Sequence, residues 1–126
     1  MPAKRSTSDF QPVFAGLREI LTPYAQRMVV VDDTPKCYYL NSPKLHPKNR
    51  RPMMFAAVQM GKNYVSFHLM PIYGSPTLLA SLSPALKKRM QGKACFNFTA
   101  VDTALFAELA DVTKRGLEGF KKFGCA

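Results

Sequence analysis

Tryptophan is absent from this sequence, acids number only eight against eighteen Lys and Arg, and there are two histidines and three cysteines. With no tryptophan, the nine phenylalanines and seven methionines must supply most of the bulk of any core. Cys37, Cys95 and Cys125 are odd in number and widely spaced. That argues against a disulfide framework and for a reducing compartment, so a cytoplasmic location is expected. His46 and His68 stand twenty-two residues apart, and no cysteine pair has zinc-type spacing; no metal and no cofactor is therefore expected. Apolar stretches are broken by Lys, Arg or Asp well short of the roughly 20 residues that cross a bilayer. Met1-Pro2-Ala3-Lys4-Arg5-Ser6 lacks an apolar segment behind its charges, so neither a membrane span nor a secretory signal is expected.

What is present points to a folded, basic chain. Of 126 residues 47% are hydrophobic, and the formal charge is +10. This length reads as one domain with one core, residues 1–7 being disordered. The positive potential attracts anions in general; a basic surface that only aids solubility is the plain alternative.

Periodicity lays out the elements. Phe10, Val13, Phe14, Leu17, Ile20, Leu21, Tyr24 and Met28 recur at steps of three and four, the stripe of a helix. Ser8 and Gln11 can form its capping box, with Pro12 in the tolerated first turn. Pro23 should kink or restart it. Val29-Val30-Val31, punctuated by Asp32-Asp33-Thr34-Pro35, reads as a connector or weak strand. Lys36–Asn41 reads as a strand. Three prolines between Ser42 and Pro52 make that segment a long exposed loop.

Met53–Met60 and Asn63–Met70 read as a hairpin with Gly61-Lys62 as a type II′ turn. Within it Val65, Phe67 and Leu69 face one side, and Tyr64, Ser66, His68 and Met70 the other. Ser75-Pro76 and Ser83-Pro84 signal two short helices, the second ending at Gly92. Lys93–Thr99 is a strand with Phe96 and Phe98 on one face. Asp102 caps a last helix striped by Leu105, Phe106, Leu109, Val112, Gly116, Leu117 and Phe120. This order implies an α+β fold: an antiparallel sheet of four to five strands with the N- and C-terminal helices packed on one face.

Phe55–Pro71, followed by Ser83–Phe98 with its Gly-Lys-x-x-Phe-x-Phe pattern, resembles the YdhG-like family of small bacterial domains, over about Phe10 to Phe120. The resemblance implies an α+β fold with helices on an antiparallel sheet and, in one branch, frataxin-like iron delivery. Iron handling of that type needs clustered carboxylates; here the corresponding region offers Asp9, Glu19, Asp32 and Asp33 beside Arg18 and Arg27.

Two sets of residues are candidates for function. His68, mid-strand, reads as a hydrogen-bond donor to an anion or an acid–base group, or as a partly buried histidine completing its hydrogen bonds. Lys93, after Gly92, either complements helical carbonyls or holds a carboxylate or phosphate. A ligand pocket is expected on the sheet face shared by Tyr39, Tyr64, His68 and Asn97, with Lys93 at its rim. The second set, Lys44, His46, Lys48, Arg50 and Arg51 with Lys87, Lys88 and Arg89, reads as a solvated surface or an anionic docking surface. It lacks interleaved aromatics and any phosphate cradle, so nucleic acid is not the favoured partner. Neither a nucleophile elbow nor paired carboxylates are evident, and no enzyme is expected. The expected partner is a small anionic ligand or an acidic protein, the chain being a monomer or a homodimer.

Overall fold

A computed structural model describes residues 10–45, 50, 51, 53–73, 75–92 and 94–122, with the side chain of residue 122 excepted. Helix α1 spans Gln11–Leu21 and buries Val13, Phe14, Leu17, Ile20 and Leu21. Pro12 stands in its first turn; Ser8, the expected cap, lies outside the described residues. Pro23 cannot donate an amide to Glu19, and the Thr22 hydroxyl donates to the Glu19 carbonyl instead (3.2 Å). The chain therefore tightens into a 3₁₀ helix, Thr22–Arg27.

Five strands follow: β1 (Val29–Thr34), β2 (Cys37–Asn41), β3 (Met54–Met60), β4 (Val65–Leu69) and β5 (Cys95–Phe98). They form one antiparallel sheet in the order β1-β2-β3-β4-β5, each strand beside its sequence neighbour. Between β4 and β5 lie three short helices, α2 (Met70–Tyr73), α3 (Pro76–Ala80) and α4 (Pro84–Lys87). Ser75 and Ser83 cap α3 and α4, their hydroxyls accepting from the Leu78 and Leu86 amides (both 3.2 Å). Helix α5 (Thr103–Lys122) begins at Asp102, whose carboxylate accepts from the Leu105 amide (3.0 Å).

Four details differ from the sequence reading. Of the two readings of Val29-Val30-Val31 the strand holds, but it runs on through the expected punctuation of Asp32 and Asp33 to Thr34. As an edge strand it tolerates charge; Asp33 is held by Arg18 (3.0 Å), and an irregularity between Val30 and Asp32 leaves Val31 unopposed. The β3–β4 turn is not type II′, since no residue from Gly61 to Tyr64 has a positive φ. Gly61 donates to the Tyr64 carbonyl (2.9 Å) and Met60 pairs with Val65, so four residues connect the strands. Gly92 does not end α4, which stops at Lys87; Gly92, at φ 85°, turns the chain into β5 instead. Finally, Met70-Pro71-Ile72-Tyr73 forms a helical turn that no periodicity announced.

The helices share one face of the sheet. Tyr38, Leu40, Ala56, Val58, Val65, Phe67, Leu69, Phe96 and Phe98 are buried there with the stripes of α1 and α5. Edge-to-face rings tie α5 to both ends of this layer: Phe98 with Phe106 (5.1 Å) and Phe55 with Phe120 (5.8 Å). Phe55 reaches the core because a second irregularity, opposite Leu40 and Asn41, leaves it unopposed in β3. Among the described residues, no buried side-chain polar atom lacks a partner.

Candidate functional site

The register decides what the helix-free face carries. Across the sheet, Tyr39 stands opposite Ala57, Ala57 opposite His68, and His68 opposite Cys95. A parallel row joins Cys37, Gln59, Ser66 and Asn97. Neighbouring strands are about 4.8 Å apart, and the pairs His68–Cys95, Ser66–Asn97 and Cys37–Gln59 approach within 4.0 Å. Tyr39, His68 and Asn97, predicted to share a face, do share it. Tyr64 lies beyond the end of β4, in the turn, and is 39% exposed.

The β4–β5 pairing forms a polar cluster. The Ser66 hydroxyl donates to Asn97 Oδ1 (3.0 Å), and Asn97 Nδ2 donates to Gln91 Oε1 (3.1 Å). The Cys95 thiol donates to the same Oδ1 (3.5 Å), and its Sγ lies 4.0 Å from His68 Nε2. Burial lowers the His68 pKa below its ordinary value, favouring neutral imidazole. Burial raises the Cys95 pKa, against a smaller opposing effect of the Ser66 hydroxyl. Cys37 is likewise pushed up, mainly by burial, with Gln59 opposing and Asp32 adding. Near neutral pH the face thus presents a neutral imidazole, thiols, carboxamides, a hydroxyl and a phenol.

The cations come from two places. Lys87 closes α4, Lys88 caps it and Arg89 follows. The Arg89 carbonyl accepts from the Asn97 amide (2.8 Å) and the Gln91 amide donates to the Cys95 carbonyl (2.8 Å). This basic run therefore lies along the outer edge of β5. Lys44, Arg50 and Arg51 are exposed in the β2–β3 connection, which leaves the sheet at the end where β4 finishes and β5 starts. His46, Lys48 and Lys93 lie outside the described residues. A depression of about 90 Å³ lies at the far end of β5, lined by Arg89, Phe98, Thr99, Ala100, Val101 and Asp102, away from the pocket expected at His68. Metabolite pockets start at about 300 Å³, and Asp102 is already engaged by the Leu105 amide.

Sequence reasoning missed Ser66, Gln91 and Cys95 as members of the cluster. Alternation placed Ser66 beside His68 and Cys95 beside Asn97, but only register brings the two pairs together. Among the described residues no group of three or more His, Cys, Asp or Glu could hold a metal ion, and no helix is long and apolar enough to cross a membrane. Compared with known proteins, the chain matches no family model, no curated protein and no solved structure.

Proposed function

We propose that this chain is a non-catalytic, YdhG-like binding module that takes a small anionic ligand on the helix-free face of its sheet. The observation that carries this reading is the row Tyr39–Ala57–His68–Cys95 with Asn97 beside it, on a face that the helices leave open. Phenol, imidazole and carboxamide offer hydrogen-bond donors to an anion. Lys87, Lys88 and Arg89 border the face at β5, and the +10 charge draws anions towards it. The YdhG-like assignment rests on Phe55–Pro71 and Ser83–Phe98.

An acidic protein would answer to the same charge, but the compact Ser66–Asn97–Cys95–His68 cluster suits a ligand of a few atoms better. Iron handling of frataxin type has less to work with, since Asp33 is already engaged by Arg18. A thermal-shift screen of phosphate- and carboxylate-bearing metabolites tests the proposal. A ligand present at 100 times its Kd stabilises by about 2.7 kcal/mol, which raises Tm by several degrees. His68→Ala and Lys93→Glu should each remove the rise. The reading fails if no anion shifts Tm, and retardation of DNA or RNA that weakens steeply with salt would replace it with nucleic-acid binding.

A further inference from the structure

The Cys95–His68 pair belongs to the row offered to an anion, but it also sets a sulfur and a ring nitrogen 4.0 Å apart, a donor pairing that anion binding does not require. We propose that Cys95 Sγ and His68 Nε2 form a low-coordinate site for a monovalent, thiophilic metal ion of the Cu(I) type, with Asn97 Oδ1 beside it. The two residues are directly opposed in the β4–β5 register, so the backbone sets their side chains face to face before any ion arrives.

The separation selects the coordination. Metal–thiolate and metal–imidazole bonds of about 2.3 and 2.0 Å would put the two donors about 3.5 Å apart at a tetrahedral angle. Here they are 4.0 Å apart, which with the same bond lengths opens the sulfur–metal–nitrogen angle to roughly 135°. That wide angle suits a two- or three-coordinate ion. Asn97 Oδ1 lies beside the two donors, 3.5 Å from the sulfur, and as a hard oxygen it leaves the soft sulfur and nitrogen as the main ligands.

Ligand number and charge point the same way. Zinc in structural sites takes four protein ligands, and among the described residues no group of three or more His, Cys, Asp or Glu could hold a metal ion. Thiolate sulfur selects soft ions such as Cu(I). A thiolate neutralises a monovalent ion completely, whereas a divalent ion would leave a net positive charge on a half-buried face of a chain already at +10. Binding forms the sulfur–metal and nitrogen–metal bonds and releases the Cys95 thiol proton to solvent, with no change of oxidation state. A neutral imidazole offers its lone pair without losing a proton. Loss of the S–H also frees Asn97 Oδ1 from that hydrogen bond.

This site does not rest on the anion-binding reading, and one experiment separates them. The reduced full-length protein is titrated without oxygen against a chromophoric Cu(I) chelator. It should withdraw one equivalent of Cu(I), and the double variant Cys37→Ser/Cys125→Ser and the single variant Lys93→Glu should do the same. Cys95→Ser and His68→Gln should each weaken uptake at least tenfold. Melting of each variant without copper checks its fold. Should Cys95→Ser not fold, the wild-type His68 imidazole resonances decide the matter, because they must shift when one equivalent of Cu(I) is added. No withdrawal from the chelator, uptake lost in the Cys37→Ser/Cys125→Ser variant, uptake unchanged in a folded Cys95→Ser protein, or unmoved His68 resonances would each overturn the site.

Discussion

Individual side chains in this fold do their work by pairing across elements. Glu108 reaches from α5 to the start of α4 and accepts from both the Ser83 amide and the Ser83 hydroxyl (2.7 Å each), joining two helices that are far apart in sequence. Arg18 does two jobs, binding Asp33 and lying over the Tyr38 ring at 4.4 Å. Tyr24 packs edge-to-face on Phe55 (5.9 Å). Its pKa is raised above 10.0 by burial, with Arg27 opposing. The unfolded chain therefore loses the Tyr24 proton first as pH climbs past about 10, and the folded chain keeps it. Stability contributed by the neutral phenol is complete below pH 10 and drains away above it. Denaturation followed from pH 9 to 11 should show a steeper loss in the wild type than in Tyr24→Phe; equal slopes would mean that Tyr24 titrates normally.

At the scale of elements, α5 depends on which of its glycines face a neighbour. A Cβ on Gly116 would come 2.9 Å from Pro71 Cβ and 3.3 Å from Pro71 Cγ in α2, whereas one on Gly119 would meet nothing within 4 Å. Both positions would gain helix propensity from alanine, by up to about 1 kcal/mol. Gly119→Ala should keep that gain. Gly116→Ala should lose it to the clash and end about 1–2 kcal/mol less stable than the wild type. Urea denaturation of the two variants reads the difference, and two stabilising substitutions would mean that α2 yields freely. Helix stripes and serine–proline starts were legible in the sequence, because a period near 3.6 and a capping hydroxyl are local properties. Strand β1 was not. Its two aspartates read as a turn, and what makes them a strand is the partner β2 and the arginine on α1, neither of which is local. The same limit applied to the site: parity put His68 and Asn97 on the outward side of their strands, while the contact of His68 with Cys95 needed the β4–β5 register.

For the whole molecule the dominant imbalance is charge. The chain carries +10, and its ion pairs among the described residues include Arg18–Asp33, Arg115–Asp111 and Lys121–Glu118, all at least partly exposed. Such pairs contribute little, so repulsion among the remaining cations opposes the compact state. The screening length falls from about 30 Å at 0.01 M salt to about 8 Å at 0.15 M, so repulsion weakens as salt rises. Raising sodium chloride across that range should increase Tm by a few degrees, followed by circular dichroism because no tryptophan is available as a probe. A falling Tm would show that attractive pairs dominate instead. The covering of the sheet has a further consequence for biogenesis. Strands β1 to β5 can zip in the order in which a ribosome delivers them, but the oily underside that Phe106, Leu109, Val112 and Phe120 will seal stays bare until the final helix emerges. A nascent chain paused before residue 103 is therefore the form in which this protein is most exposed to capture by holding chaperones.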